Sequence, residues 1–251
     1  MSEHVLPANV CPHCGGVFEQ LANHWAQSAT CVHPTLTQEQ RELLKGLVMG
    51  DGSISNPKRG SGDSRMRVTS TNERWLRWLR AQFGPLATEP TLDQTGEELG
   101  RKARSNPSFD DSGGDWEYSD IYRMSVRSHP YLTMMRKRWY PDGEIRYPDD
   151  LHLTPLAAKA WYCSDGGISW TDSAVFAAFG THNEADRPGF LCDLFREHGF
   201  TARYSEPLVR VSSTQTEDLL EWMGTAPAGF AYKWESQSRQ RYDRLKMEVT
   251  G

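Results

Sequence analysis

The chain has 251 residues, 37% of them hydrophobic and 24% charged, and a formal net charge of −5. That length and apolar content fit a soluble folded protein with a real core, and no apolar run approaches the ~20 residues of a membrane-spanning helix. The N-terminus, MSEHVLPANV, lacks both the basic start and apolar centre of a signal peptide and the arginines of a transit peptide, so an intracellular, cytoplasmic protein is expected. A negative net charge argues mildly against a nucleic-acid partner, but it does not say where the charge sits.

The first predicted element is a metal knuckle over residues 1–35. In CPHCGGVFEQLANHWAQSATC, Cys11 and Cys14 stand two residues apart across a turn that Gly15 and Gly16 permit, a spacing that grips one Zn2+. Phe18, Leu21 and His24 recur every three residues, so a short helix presents two core residues and a ligand. The fourth ligand is expected at Cys31, with His33 and His13 as alternatives. Such a unit is too small to fold without its metal. The first forty residues contain no Lys and no Arg, which favours a compact cap or a protein contact over a grip on DNA phosphates. Cys163 and Cys192 stand alone in apolar sequence and read as buried thiols.

Next, Thr37 and Gln40 form a capping box that opens a helix, and Leu43, Leu44, Leu47 and Val48 give it an apolar stripe. It stops at Gly50-Asp51-Gly52. A second copy opens at Thr154-Pro155, runs through Leu156, Ala157, Ala160 and Trp161, and stops at Ser164-Asp165-Gly166. Aligned on the aspartates, Gly46 matches Ala160 and Gly50 matches Ser164. Small residues at i and i+4 let another helix backbone approach closely, so facing strips would bring Asp51 and Asp165 together. Each carboxylate would then sit at the negative end of a helix dipole beside a like charge. A divalent cation with oxygen ligands, Mg2+ above all, relieves that repulsion and can activate water for phosphodiester hydrolysis.

Behind each of these helices the pattern repeats. Residues 64–71 and 121–128 alternate like half-buried strands, and NERWLRWLRAQFG between them has Trp75, Leu76, Leu79 and Phe83 at helical spacing. HPYLTMMRKRWY reads as a closing helix. SAVFAAFGT, the helix around Phe190 to Phe195, the strand LVRVSS and TEDLLEWM follow in the same order in the second half. Residues 91–118, rich in Gly, Ser, Asp and Glu, read as a long mobile loop. The expected fold is α+β, a duplicated αββαββα unit with halves at 36–150 and 151–251. Alternation places Arg65, Arg67, Arg123, Arg127, Arg203 and Arg210 on one basic face of the sheets, opposite an apolar face. Such a face can follow a DNA groove.

These features resemble the LAGLIDADG homing endonucleases of the single-chain, two-motif kind. GLVMGDGSIS and LTPLAAKAWYCSDGG are the two motifs, HPYLTMMRKRWYPDG before LTPLA resembles the junction between halves, and AYKW resembles the closing motif. The resemblance covers residues 37–235 and leaves out the knuckle. It implies a pseudo-twofold protein, working as a monomer, that cleaves both strands of a long specific DNA site across the minor groove and leaves short 3′ overhangs. In a prokaryote it would be nucleoid-associated. Asp51 and Asp165 would be the metal ligands. Lys233 matches the lysine near the end of one half, and Arg146 in EIRYP takes the corresponding place in the other, keeping the charge without the ability to deprotonate. His182 and Arg67 fall near the polar residues found beside the two sites. Two other readings stay open: a cleavage-inactive DNA-binding regulator or RNA-splicing maturase on the same scaffold, and a zinc-containing protein-interaction module.

Overall fold

The computed structural model describes residues 7, 9–57, 62–105, 118–181 and 184–250. A small N-terminal unit carries α1 (Leu21–Gln27). The first half then runs α2 (Gln38–Met49), β1 (Gly52–Ile54), β2 (Met66–Ser70), α3 (Glu73–Phe83), β3 (Thr91–Gln94), α4 (Gly96–Arg104), β4 (Ile121–Val126) and α5 (Pro130–Trp139). The second runs α6 (Pro155–Asp165), β5 (Gly166–Trp170), β6 (Val175–Gly180), α7 (Pro188–Arg196), β7 (Ala202–Ser205), β8 (Leu208–Val211) and α8 (Thr216–Met223). A 3-10 turn (Ala231–Trp234) and α9 (Arg239–Thr250) follow.

The halves carry matching antiparallel sheets, β1-β2-β4-β3 and β5-β6-β8-β7. Gly52 pairs with Val68 in the first and Gly166 with Phe179 in the second, so the sheets start at equivalent points behind the two motif helices. Period-two alternation decides which face is buried. Met66, Val68, Met124 and Val126 are essentially inaccessible, as are Ala177, Phe179, Val209 and Val211. Helices cover those faces, and a single apolar cluster runs through both halves around Trp75, Trp161, Phe179 and Phe195. Burying such aromatic side chains contributes about 1.5–3 kcal/mol each. Among the described residues, no helix is long and apolar enough to cross a membrane.

Within the segment expected to be a mobile loop from 91 to 118, a strand and a helix occupy most of residues 91–104. β3 pairs with β4 at the sheet edge, and α4 opens with a Thr95–Glu98 capping box. Gly96 packs so closely that a Cβ there would lie 1.7 Å from the Tyr118 carbonyl oxygen. An exposed edge strand and a short polar helix have no apolar period to betray them, which is why composition suggested a loop. Residues 106–117 lie outside the described part.

In the N-terminal unit α1 starts three residues later than the Phe18–His24 repeat suggested. Leu21 and Trp25 are buried, whereas Phe18 precedes the helix and stacks on the His24 ring at 3.7 Å. The unit docks on the first half. His129 Nε2–H donates to the Pro34 carbonyl at 3.0 Å, and Arg127 donates to the Asn9 side chain at 2.9 Å.

Candidate active site and metal centres

α2 and α6 lie against each other along their small-residue strips. A Cβ on Gly46 would fall 2.1 Å from the Ala157 oxygen and 2.7 Å from the Ala160 Cβ, and one on Gly50 would fall 2.3 Å from the Ser164 Cβ. Thr37 caps α2 with its box, and Thr154 accepts from Ala157 N–H at the start of α6 while donating to Glu42 of α2 at 3.0 Å. Both helices therefore begin in fixed register and end together. Asp165 closes α6 and Asp51 follows Gly50 at the end of α2.

Asp51 remains open to solvent as a residue, yet the protein around its carboxyl group raises the pKa from 3.8 to about 6. Desolvation is the main cause and the Asp165 charge adds to it, while Lys233 opposes both. A carboxyl group whose ionisation is opposed by burial and by a neighbouring carboxylate forms a site that gains from a cation, and oxygen donors suit Mg2+.

A cleft of about 370 Å³ opens beside Asp51, lined by Thr69, Ser70 and Thr71 from the end of β2 and by Lys233. Lys233 is buried, and Nζ donates to the carbonyls of Cys163 (2.6 Å) and Tyr162 (3.1 Å) at the end of α6. The Phe230 ring lies 4.6 Å from the ammonium. Burial lowers its pKa from 10.5 to about 8, against the pull of Asp51 and Asp165. Arg146 stands elsewhere, donating to Asp186 at 2.6 Å with Glu184 at 3.7 Å. Arg67 sits within β2 opposite Ser53 and Ser125, and His182 lies outside the described residues.

The six arginines expected on a basic face differ in exposure and engagement. Arg65, Arg67 and Arg203 are exposed. Arg123 is paired with Asp93 at 2.7 Å, and Arg127 donates to the Pro85 carbonyl at 3.1 Å. Arg203 and Arg210 stand directly opposite each other on β7 and β8, lining a hollow of about 420 Å³ with Phe176 and Ser205. Like charges at paired positions destabilise a sheet unless an anion lies between them. The Arg210 Nε is buried without a hydrogen-bond partner.

In the N-terminal unit the ligand atoms of Cys11, Cys14, His24 and Cys31 all lie within 4.8 Å of one another. Cys14 Sγ is 3.7 Å from His24 Nε2, close to the roughly 3.5–3.8 Å that tetrahedral Zn–S and Zn–N bonds impose. The donor set therefore fits zinc, with Cys31 rather than His13 or His33 in fourth place. Trp25 Nε1–H donates to Cys11 Sγ at 3.4 Å, a contact that favours the thiolate. The protein is expected to carry about one tightly held zinc per chain by elemental analysis. Cys14→Ala should lose it and melt the N-terminal unit by hydrogen exchange while the two halves stay protected.

Sequence reasoning missed Thr69 to Thr71 as cleft residues, and it missed Tyr147, whose buried hydroxyl donates to the Met49 carbonyl at 2.8 Å. The tyrosine in RYP carried no motif of its own. The hydroxyl run Thr69-Ser70-Thr71 at the end of β2 was a signal that strand alternation alone did not weigh.

A profile of the LAGLIDADG DNA endonuclease family matches residues 41–187, more than half of the chain. An uncharacterized protein of Methanocaldococcus jannaschii is 24% identical over 175 residues, 68% of this chain and 61% of that protein. The cytochrome b mRNA maturase bI2 of Debaryomyces hansenii is 28% identical over 138 residues, 53% of this chain and 47% of that protein. The chain thus spans less than two thirds of the length of both curated relatives. Among solved structures, the homing endonuclease I-WcaI bound to its DNA recognition sequence aligns with a TM-score of 0.64 at 13% identity. That alignment covers 86% of this chain and 92% of the other, and it shows a shared fold.

Proposed function

The chain belongs to the LAGLIDADG DNA endonuclease family, and on that premise we propose that it is a sequence-specific endonuclease cutting both strands of a long duplex site. Asp51 and Asp165 hold Mg2+, and Lys233 assists at the Asp51 cleft. The observation that carries this reading is the delivery of two carboxylates to the ends of adjacent helices, where burial and the Asp165 charge raise the cost of ionising Asp51. A bound divalent cation lowers the pKa of its water and neutralises charge on the leaving oxygen. The chain's own residues do the rest. In the hydrolysis a water oxygen bonds to phosphorus, the bond from phosphorus to the 3′ oxygen breaks, and that oxygen takes up a proton. Lys233 has three N–H donors and two are anchored on carbonyls, which leaves one for a phosphate oxygen or the attacking water. The basic sheet faces, with Arg65, Arg67, Arg123, Arg127, Arg203 and Arg210, hold phosphates and read base edges. Zinc in the N-terminal unit is structural. Such a protein works inside the cell.

The same titrations give a pH profile. Asp51 must be ionised to hold metal, so cleavage at saturating Mg2+ should rise through a limb at or below about pH 6, because a cation favours the carboxylate. It should fall again near pH 8 as Lys233 loses its proton. Strand-cleavage rates from pH 5 to 9 measure this directly. A falling limb that survives Lys233→Met would assign it to another group.

A cleavage-inactive maturase or regulator is the second reading. It is favoured by the engagement of Arg146 with Asp186 and by the relative that is named as an mRNA maturase. The deciding experiment incubates the protein with a randomised duplex library and Mg2+, beside Asp51→Asn and Asp165→Asn. Double-strand cuts at one recurring sequence, lost in either variant, support the endonuclease. Salt-sensitive binding without cuts supports the second reading, and no binding to DNA or RNA leaves a protein-interaction module.

A further inference from the structure

The N-terminal unit borders the sheet face assigned to DNA. In the first sheet Met66 and Val68 face the core, so Arg65 and Arg67 face outward, as do Ser53 and Ser55 beside them. Arg127, just beyond β4, shares the outward parity of Arg123, and its guanidinium donates to the Asn9 side chain of the N-terminal unit at 2.9 Å. His129 fixes the unit a second time through the Pro34 carbonyl at 3.0 Å. The unit is therefore held at one end of the sheet, next to the exposed arginines.

Between α1 and the sheet lies a cleft of about 630 Å³, with Ser55, Asn56 and Arg65 on one side and Gln20, Asn23 and Gln27 on the other. The three amide residues recur at helical spacing, and all are exposed. Asn23 donates to the Gln20 oxygen, which leaves the Gln20 amide hydrogens and the Asn23 oxygen unengaged among the described residues. The Gln27 amide makes no hydrogen bond among them. The acidic group in the wall, Asp63, accepts from the Thr133 hydroxyl at 2.9 Å. The unit brings no cation to phosphate, since the first forty residues contain no Lys or Arg. Amides without cations suit base edges instead: a Gln or Asn side chain accepts from adenine N6–H and donates to adenine N7 in the major groove.

We infer that the N-terminal zinc unit reads bases: the amides of Gln20, Asn23 and Gln27 recognise adenine-containing pairs at one flank of the duplex site, beyond those that the first sheet covers. This rests on the endonuclease reading above, which seats DNA on the sheet face. The arginines hold phosphates and set affinity, while the amides add discrimination at the flank. An amide displaces no counterion, so its removal changes base preference and leaves the salt slope of binding alone. Bidentate recognition of this kind discriminates against a wrong base by about tenfold or more.

The test uses the full chain with zinc bound and a randomised duplex library, from which bound duplexes are recovered and sequenced. The wild type should select adenine in a short flank adjoining the sequence chosen by the sheets. A triple variant, Gln20→Ala with Asn23→Ala and Gln27→Ala, keeps every zinc ligand. In it that flank should become random, and the Kd ratio between scrambled and selected flanks should fall from about tenfold or more to about one. Its zinc content and its slope of log Kd against log salt should match the wild type. Wild-type selection that is random at both flanks overturns the inference and leaves the endonuclease reading standing. A flank preference that survives in the zinc-bound triple variant overturns the assignment to these amides. Recovery of no recurring sequence overturns both the inference and the reading beneath it. Should the triple variant lose its zinc, Gln27→Ala alone, at the last residue of α1, supplies the same readout.

Discussion

Asp51→Asn is expected to reduce double-strand cleavage by about 10³-fold or more and, at the same time, to raise the melting temperature of the metal-free protein above pH 6. The first effect follows from losing one of two carboxylates that hold the cation, since activating the water and neutralising the leaving oxygen both depend on it. The second follows from linkage. The Asp51 carboxyl binds its proton more tightly in the folded chain, with a pKa raised from 3.8 to about 6 by desolvation and by Asp165. Its contribution to stability is therefore fully present below about pH 4 and is lost as pH rises through 6. Asparagine never ionises, so the variant escapes that loss. Thermal melts from pH 4 to 8 in chelator should show the wild type falling relative to Asp51→Asn, and added Mg2+ should restore the wild type alone. If the two melt in parallel across that range, Asp51 is not the strained carboxylate described above.

Gly46→Ala carries the second large effect, and its sign runs against helix propensity. In an ordinary helix interior, alanine is about 1 kcal/mol better than glycine. At Gly46 the new Cβ would lie 2.1 Å from the Ala157 oxygen and 2.7 Å from the Ala160 Cβ, both on the opposed motif helix. The backbones must separate, and overpacking of this kind costs about 1–3 kcal/mol. A chain of this size should lose several degrees of melting temperature, at about 2–4 °C per kcal/mol. Separation also pulls Asp51 from Asp165, so cleavage should fall by more than the lost folded fraction explains. Gly167→Ala is the control. A Cβ there meets nothing within 4 Å, and its melting temperature should stay close to wild type. Equal or greater stability in Gly46→Ala would mean that the helices do not meet at this strip.

Much of the architecture was written in local pattern. The 3.6-residue stripe of Leu43, Leu44, Leu47 and Val48 and the caps at Thr37 and Thr154 specify the motif helices. The alternation of Met66, Arg67 and Val68 specifies a strand and its buried face. The small positions Gly46, Gly50, Ala160 and Ser164 could be matched because the same spacing occurs twice. Cys11, Cys14, His24 and Cys31 could be named because ligand spacing within one short unit is also a local property. Short polar elements escaped: β3 and α4 have no apolar period, and their places come from pairing with β4 and packing against Tyr118.

What only the tertiary structure decided is which partners distant side chains choose. Lys233 lies 70 residues from the Cys163 carbonyl it caps, and Tyr147 lies 98 from that of Met49. Arg146 carries the charge that a motif comparison wants, yet Asp186, 40 residues away, claims it. A sequence period records how one segment divides its faces between water and core, because that division depends on neighbours within a turn or a strand. It holds no record of which carbonyl or carboxylate the folded chain will bring within 3 Å of a buried cation, because that depends on how whole elements pack.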